Sequence, residues 1–213
     1  MKFHKDMLFL YGVTDQTFPG TKPFLEQIGE ALSSGVTLLQ LREKHLDKHK
    51  FLEEALLVRE LTKRYKVPLI INDDVEIALR CGADGVHVGQ EDLSPAEVRR
   101  LIGPDRILGV TAKTVEQAVK AFEAGADYLG SGAVFPSPTK KDAIPMTLER
   151  LSAICRSVSI PVTAIGGITA ENVSSLKGTG IAGAAVVSGI FGQRDIPSAV
   201  RVLKEELRKV VSS

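Results

Sequence analysis

The chain is short of several things. Among 213 residues there are two cysteines, no tryptophan and no apolar run approaching the length of a membrane span. Cys81 and Cys155 stand apart in no metal-ligand spacing, so two small thiols in a reducing compartment are expected rather than a disulfide or thiolate site. Lys and Arg (27) nearly balance Asp and Glu (26). No broad basic excess points to nucleic acid or a membrane surface, so charge used for function must be local. Met1 to Met7 carries charge but no apolar stretch of signal-peptide length, and the expectation is a cytoplasmic protein. Also missing is the glycine-rich loop that a doubly wound nucleotide-binding sheet carries after its first strand. Here that strand runs into Val13-Thr14-Asp15.

What is present is an alternation. Short apolar runs recur at Met7–Val13, Val36–Leu41, Val67–Ile71, Gly85–Val88, Ile107–Val110, Tyr128–Leu129, Ile160–Ile165 and Gly183–Val187. Between them lie stretches of helical spacing: Leu25, Ile28 and Leu32; Phe51, Ala55, Leu56 and Val58; Val115, Ala118, Val119 and Phe122; Val200, Leu203 and Leu207. Eight strands alternating with about eight helices predict parallel βα units. Every even-numbered strand opens after a glycine, in Gly35-Val36, Gly82-Ala83, Gly125-Ala126 and Gly180-Ile181. Each suits the left-handed residue that ends a helix. An open doubly wound sheet is the competing architecture. The count of eight, the regular repeat and the lack of any linker favour a single (β/α)8 TIM barrel domain over residues 1–213.

In such a barrel the site lies at the carboxyl ends of the strands. After the second strand comes Gln40-Leu41-Arg42-Glu43-Lys44. Strand alternation puts Gln40, Arg42 and Lys44 on one face and turns Leu41 and Glu43 away. An amide, a guanidinium and an ammonium together suit a multiply charged anion; the plainer reading is a solvated strand end. After the third and fourth strands come Asn72-Asp73-Asp74 and Gly89-Gln90-Glu91-Asp92. Carboxylates of Asp73 and Asp92 can converge, and an all-oxygen pair suits Mg²⁺ shared with phosphates. One of Asp73 and Asp74 can instead cap the following helix, and Ser94 the helix that opens at Pro95. Gly166-Gly167 and Ser188-Gly189, after strands seven and eight, suit a phosphate cradle or simple turns. The polar loop Phe135 to Ile144 reads as a lid or as a solvated connection. His87, inside an apolar strand, reads as packed core.

These residues in this order resemble the thiamine-phosphate synthase (thiamine-phosphate pyrophosphorylase) family over essentially the whole chain. To the segments above the match adds Gly109-Val110-Thr111, Pro136-Ser137-Pro138-Thr139-Lys140-Lys141, Ile165-Gly166-Gly167-Ile168 and Val187-Ser188. The resemblance implies a (β/α)8 barrel that joins hydroxymethylpyrimidine diphosphate to a hydroxyethylthiazole phosphate and releases pyrophosphate. It implies that Gln40, Arg42, Lys44, Asn72, Thr111 and Lys140 bind the pyrimidine diphosphate, with Leu41 and Glu43 in the same binding segment. It implies that Asp73 and Asp92 hold Mg²⁺. Ser137, Pro138 and Thr139, with Gly167, Val187 and Ser188, would bind the thiazole phosphate. Arg42, Lys44 and Lys140 would stabilise the departing diphosphate. Members often carry Ser at Thr111 and Thr at Ser137, exchanges that keep the hydroxyl. A thiazole tautomerase-like paralogue, a Schiff-base aldolase using Lys44 or Lys113, and a non-catalytic thiamine-phosphate-binding barrel are the competing functions. The sequence leaves a homo-oligomer open.

Overall fold

Each apolar run becomes a short parallel strand in the computed structural model, which describes residues 2–18, 22–136 and 146–211. The strands are β1 (Leu10–Val13), β2 (Leu38–Leu41), β3 (Leu69–Asn72), β4 (Gly85–Val88), β5 (Ile107–Thr111), β6 (Tyr128–Gly132), β7 (Val162–Ile165) and β8 (Gly183–Val186). They pair in sequential order, and β8 returns to β1, closing the barrel. Around it lie α1 (Phe24–Ser34), α2 (Lys48–Tyr65), α3 (Val75–Cys81), α4 (Pro95–Ile102), α5 (Val115–Glu123), α6 (Leu148–Ser157), α7 (Ser188–Phe191) and α8 (Ile196–Val211). The helices are unevenly shared. Between β7 and β8 the described chain makes only a 3-10 turn, Val173–Leu176, where Gly178 and Gly180 both take positive φ; α7 and α8 both follow β8. No helix among the described residues is long and apolar enough to cross a membrane.

Both faces of every strand are buried, which is why the runs read as apolar rather than alternating. Leu39, Leu41, Ile71, Val86, Val110 and Leu129 point outward and share one core with helix residues such as Ile28, Phe51, Ile77, Leu151 and Val200. Tyr11, Val13, Leu38, Ile70, Ile107, Tyr128 and Ala185 point inward and form a second cluster. The first run is split: Lys5–Leu8 winds into a 3-10 turn that carries Leu8 into the inner cluster, and the strand begins only at Leu10. Two helical stripes are rotated from the expected ones. In α2 the buried row is Phe51, Ala55, Val58 and Thr62, leaving Leu56 exposed; in α5 Ala118 and Ala121 face in while Val115 and Phe122 face out.

The glycine repeat has a structural purpose beyond the turn. Gly35, Gly82, Gly125 and Gly180 all take positive φ. Two residues later, Thr37, Asp84, Asp127 and Ala182 donate their amides to Leu10, Leu69, Leu108 and Val162 of the preceding strand. In three copies the side chain answers: Leu10 N donates to Thr37 Oγ1 (2.9 Å), Leu69 N to Asp84 Oδ2 (2.8 Å) and Leu108 N to Asp127 Oδ2 (2.7 Å). Arg59 grips Asp84 at 2.6 Å and Arg99 grips Asp127 at 2.7 Å. These clamps fix the register of β1–β2, β3–β4 and β5–β6 from the amino-terminal side of the barrel. Asp84→Ala strips Arg59 of its partner and leaves the Leu69 amide unanswered. We expect a loss of about 3 kcal/mol, read by urea unfolding, with residual activity retained at low temperature.

Candidate active site

At the carboxyl ends of the strands a pocket opens over the barrel. Gln40, Arg42, Asn72, His87, Thr111 and Lys113 line one side; Gly166, Gly167, Ile168, Val187 and Ser188 line the other. Its floor is the inner face of the barrel, and there five polar side chains are linked, while the buried Thr163 hydroxyl on the same pocket wall has no partner. Gln40 Nε2 donates to the Tyr11 hydroxyl at 2.6 Å, and the Tyr11 and Tyr128 hydroxyls lie 2.7 Å apart. His87 Nδ1 is 3.1 Å from the Tyr128 hydroxyl, and His87 Nε2 is 3.0 Å from Thr111 Oγ1. Five residues from five strands thus form one chain across the barrel. Burial pushes both tyrosines above their ordinary range and lowers the His87 imidazole to about 4, so every member is neutral at pH 7. Room for the chain comes from Gly109: a Cβ there would sit 2.3 Å from the Tyr128 hydroxyl oxygen and 2.5 Å from His87 Nδ1.

Charge gathers at the mouth. Arg42 lines the pocket and is held from behind by buried Asp15, at 3.4 Å. Asp15 in turn accepts from the Thr17 amide and hydroxyl. The two aspartates after β3 divide their tasks. Asp74 caps α3, accepting from Ile77 N at 2.9 Å. Asp73 takes the left-handed conformation, φ +63°, with its amide bonded to His87 O at 2.8 Å. Its carboxylate meets Lys44 Nζ at 2.5 Å and neighbours Asp92. Burial raises the Asp73 carboxyl above the usual range; Lys44 opposes that rise and Asp92 adds to it. Asp92 is steered by the Gly89 amide, which donates to its Oδ2 at 2.7 Å.

Gln40 and Arg42 share the pocket face as alternation predicts, whereas Lys44 lies beyond the β2 ladder and turns to Asp73 at the end of β3. Leu41 is fully buried in the outer core, so contact with a ligand in this pocket would come through its backbone. Glu43 is not among the pocket residues, and burial raises its carboxyl pKa. Asn72, Thr111, Gly167, Val187 and Ser188 all reach the pocket. Ser137, Pro138, Thr139 and Lys140 lie outside the described residues. On the far wall Asn172 staples the β7 loop, donating to Gly167 O (2.8 Å) and accepting from Thr169 N (2.9 Å).

Over residues 10–190 the sequence matches the family model described as thiamine monophosphate synthase. The chain belongs to the thiamine-phosphate synthase family. A thiamine-phosphate synthase from Ruminiclostridium cellulolyticum is 53% identical over 92% of this chain and 93% of its own. Thiamine-phosphate synthase 2 of Streptococcus pneumoniae is 43% identical over 98% of this chain and all of its own. The solved thiamine phosphate pyrophosphorylase from Pyrococcus furiosus superposes with a TM-score of 0.88 at 37% identity, covering 97% of this chain and 98% of that one. Membership makes this chain an enzyme of the transferase class, as its motifs imply.

Tyr11, Asp15 and Tyr128 sit in no motif, and His87, expected as packed core, is buried and also bonded to Tyr128 and Thr111. A signal existed: Tyr11 is paired with Leu38, and His87, Thr111 and Tyr128 fall at inward positions once alternation is counted along each strand. The depressed His87 pKa has a consequence for stability. Between about pH 6.5 and about 4 the unfolded chain binds a proton that the native imidazole refuses, so stability falls as pH drops through that window. His87→Gln should flatten that part of the pH dependence of urea unfolding, by about 3 kcal/mol at most.

Proposed function

We propose that this transferase moves the 4-amino-2-methylpyrimidin-5-ylmethyl group from its diphosphate to the nitrogen of a hydroxyethylthiazole phosphate. The products are thiamine monophosphate and pyrophosphate, formed in the cytoplasm. The observation that carries this reading is the contact of Lys44 with Asp73 beside Asp92, close to a pocket that Arg42 lines above a neutral polar floor. A basic set alone would suit any anion. With the carboxylate pair beside it, the better fit is a metal-bound diphosphate.

Asp73 and Asp92 fit Mg²⁺ by their chemistry. Their donors are hard oxygens, and the Asp73 carboxylate, which lies beside Asp92, already draws one cation, Lys44. Among the described residues no group of three or more His, Cys, Asp or Glu is arranged to hold a metal ion. Remaining ligands would then be substrate oxygens and water, the usual arrangement for Mg²⁺. When bound, the ion supplies positive charge against the diphosphate oxygens. Arg42 and Lys44, with Lys140, bind the same group and stabilise the charge that grows as the methylene carbon–oxygen bond breaks. Gln40, Asn72 and Thr111 orient the pyrimidine half. Ser137 and Thr139, with Gly167, Val187 and Ser188, hold the thiazole phosphate so that its nitrogen faces the methylene carbon. The electron-rich aminopyrimidine stabilises the cation left there, and the thiazole nitrogen captures it. No side-chain nucleophile is needed; the protein contributes charge and alignment.

Pyrophosphate release, followed with both substrates and Mg²⁺, tests the reaction. It should require all three, and Asp73→Ala should lower kcat by at least about 10²-fold. Binding of thiazole phosphate without pyrophosphate release would instead support the tautomerase-like or non-catalytic alternatives. Borohydride trapping of Lys44 or Lys113 with a keto substrate would support the aldolase.

A further inference from the structure

The chain Gln40–Tyr11–Tyr128–His87–Thr111 has a direction. Gln40 gives one amide hydrogen to the Tyr11 hydroxyl, so its carbonyl oxygen is left for the pocket. Tyr11 has one proton and passes it toward Tyr128; Tyr128, having accepted, passes its own to His87 Nδ1. The imidazole proton is then on Nε2, where it donates to Thr111 Oγ1. Thr111 keeps its hydroxyl proton free for the pocket. One end of the chain is thereby an acceptor and the other a donor. Reversing every bond would exchange these ends: Gln40 would offer its amide nitrogen, and Thr111 would spend its proton on His87. A ligand with an exocyclic amine on its ring and anionic oxygens on its tail fits only the first direction. The pyrimidine diphosphate proposed above is such a ligand, and the argument rests on that proposal.

We infer that Tyr11, Tyr128 and His87 are positioning residues that hold Gln40 as an acceptor and Thr111 as a donor, and so select an amino-bearing over an oxo-bearing pyrimidine. They act through their neighbours. All three are anchored in strands, Tyr11 and Tyr128 are at most 1% exposed, and Gly109 leaves the space that lets Tyr128 and His87 meet. Preorganisation of this kind places its cost in folding rather than in binding.

The test has a part without substrate and a part with it. In ¹⁵N-histidine NMR of the native protein at neutral pH, His87 should carry its proton on Nε2 and leave Nδ1 bare. A proton on Nδ1 would overturn the assigned direction. In kinetics, Tyr128→Phe cuts the chain at its centre. KM for the pyrimidine diphosphate should rise about tenfold, the size of one lost hydrogen bond, while KM for the thiazole phosphate stays within about twofold. Discrimination against the 4-oxo pyrimidine analogue should fall by a similar factor. Phe3→Leu removes a ring stacked on Tyr128 at 5.8 Å without touching the chain, and should leave discrimination unchanged. If Tyr128→Phe does not fold, Tyr11→Phe makes the same cut one link away. Unchanged discrimination in the folded variant, or an equal loss for both substrates, would overturn the inference. A wild-type protein that released no pyrophosphate would count against the proposed reaction, while the tautomer would still decide the direction of the chain.

Discussion

The interior of an eight-stranded barrel is filled mainly by the inward side chains of its strands, and here two tyrosines and an imidazole fill its middle. Much else follows from fitting and satisfying them. Three polar groups in an enclosed space need partners, and they find one another and then Gln40 and Thr111 at the two ends. The space is made by Gly109, on whose missing side chain Tyr128 and His87 close. Below, Phe3 stacks on Tyr128 and Leu8 completes the inner cluster. The linked floor is therefore both the core of the barrel and the base of its pocket.

Above that neutral floor the mouth is charged, and the backbone is bent to make it so. Asp73 occupies a conformation that side-chain-bearing residues seldom take, beside a second carboxylate. Asp74 answers the helix terminus, which leaves Asp73 free of that duty. Asp15 holds Arg42 in the same way that Asp73 meets Lys44: each cation is oriented by an acid from a neighbouring strand end. The clamps of Asp84 and Asp127 at the opposite end of the barrel carry register, so the mouth is spared that task. Stability and chemistry are thus kept at opposite ends of the same strands.

Most of this arrangement was legible because it is periodic or sits at strand ends. Eight apolar runs, the left-handed glycines before the even strands, and the polar groups at strand termini all leave local marks. The split between Asp73 and Asp74 could be foreseen as an alternative, since a helix start needs only one cap. His87 was hidden because a buried histidine in an apolar strand looks the same whether it packs or bonds; its partners, Tyr128 and Thr111, lie 41 and 24 residues away. Lys44 departed from its expected face because period two lasts only as long as the ladder, which ends at Leu41. The turned stripes of α2 and α5 reflect helix packing, which composition alone does not orient.

The central claim is that this barrel mouth is a diphosphate leaving-group pocket built on a directional polar floor. A crystal structure with Mg²⁺, pyrophosphate and thiamine monophosphate addresses it most directly. The account predicts the metal on Asp73 and Asp92, pyrophosphate against Arg42 and Lys44, and the pyrimidine amino group on the Gln40 carbonyl. Pyrophosphate bound away from these residues, or a pyrimidine ring that meets Gln40 through its amide nitrogen, would contradict it.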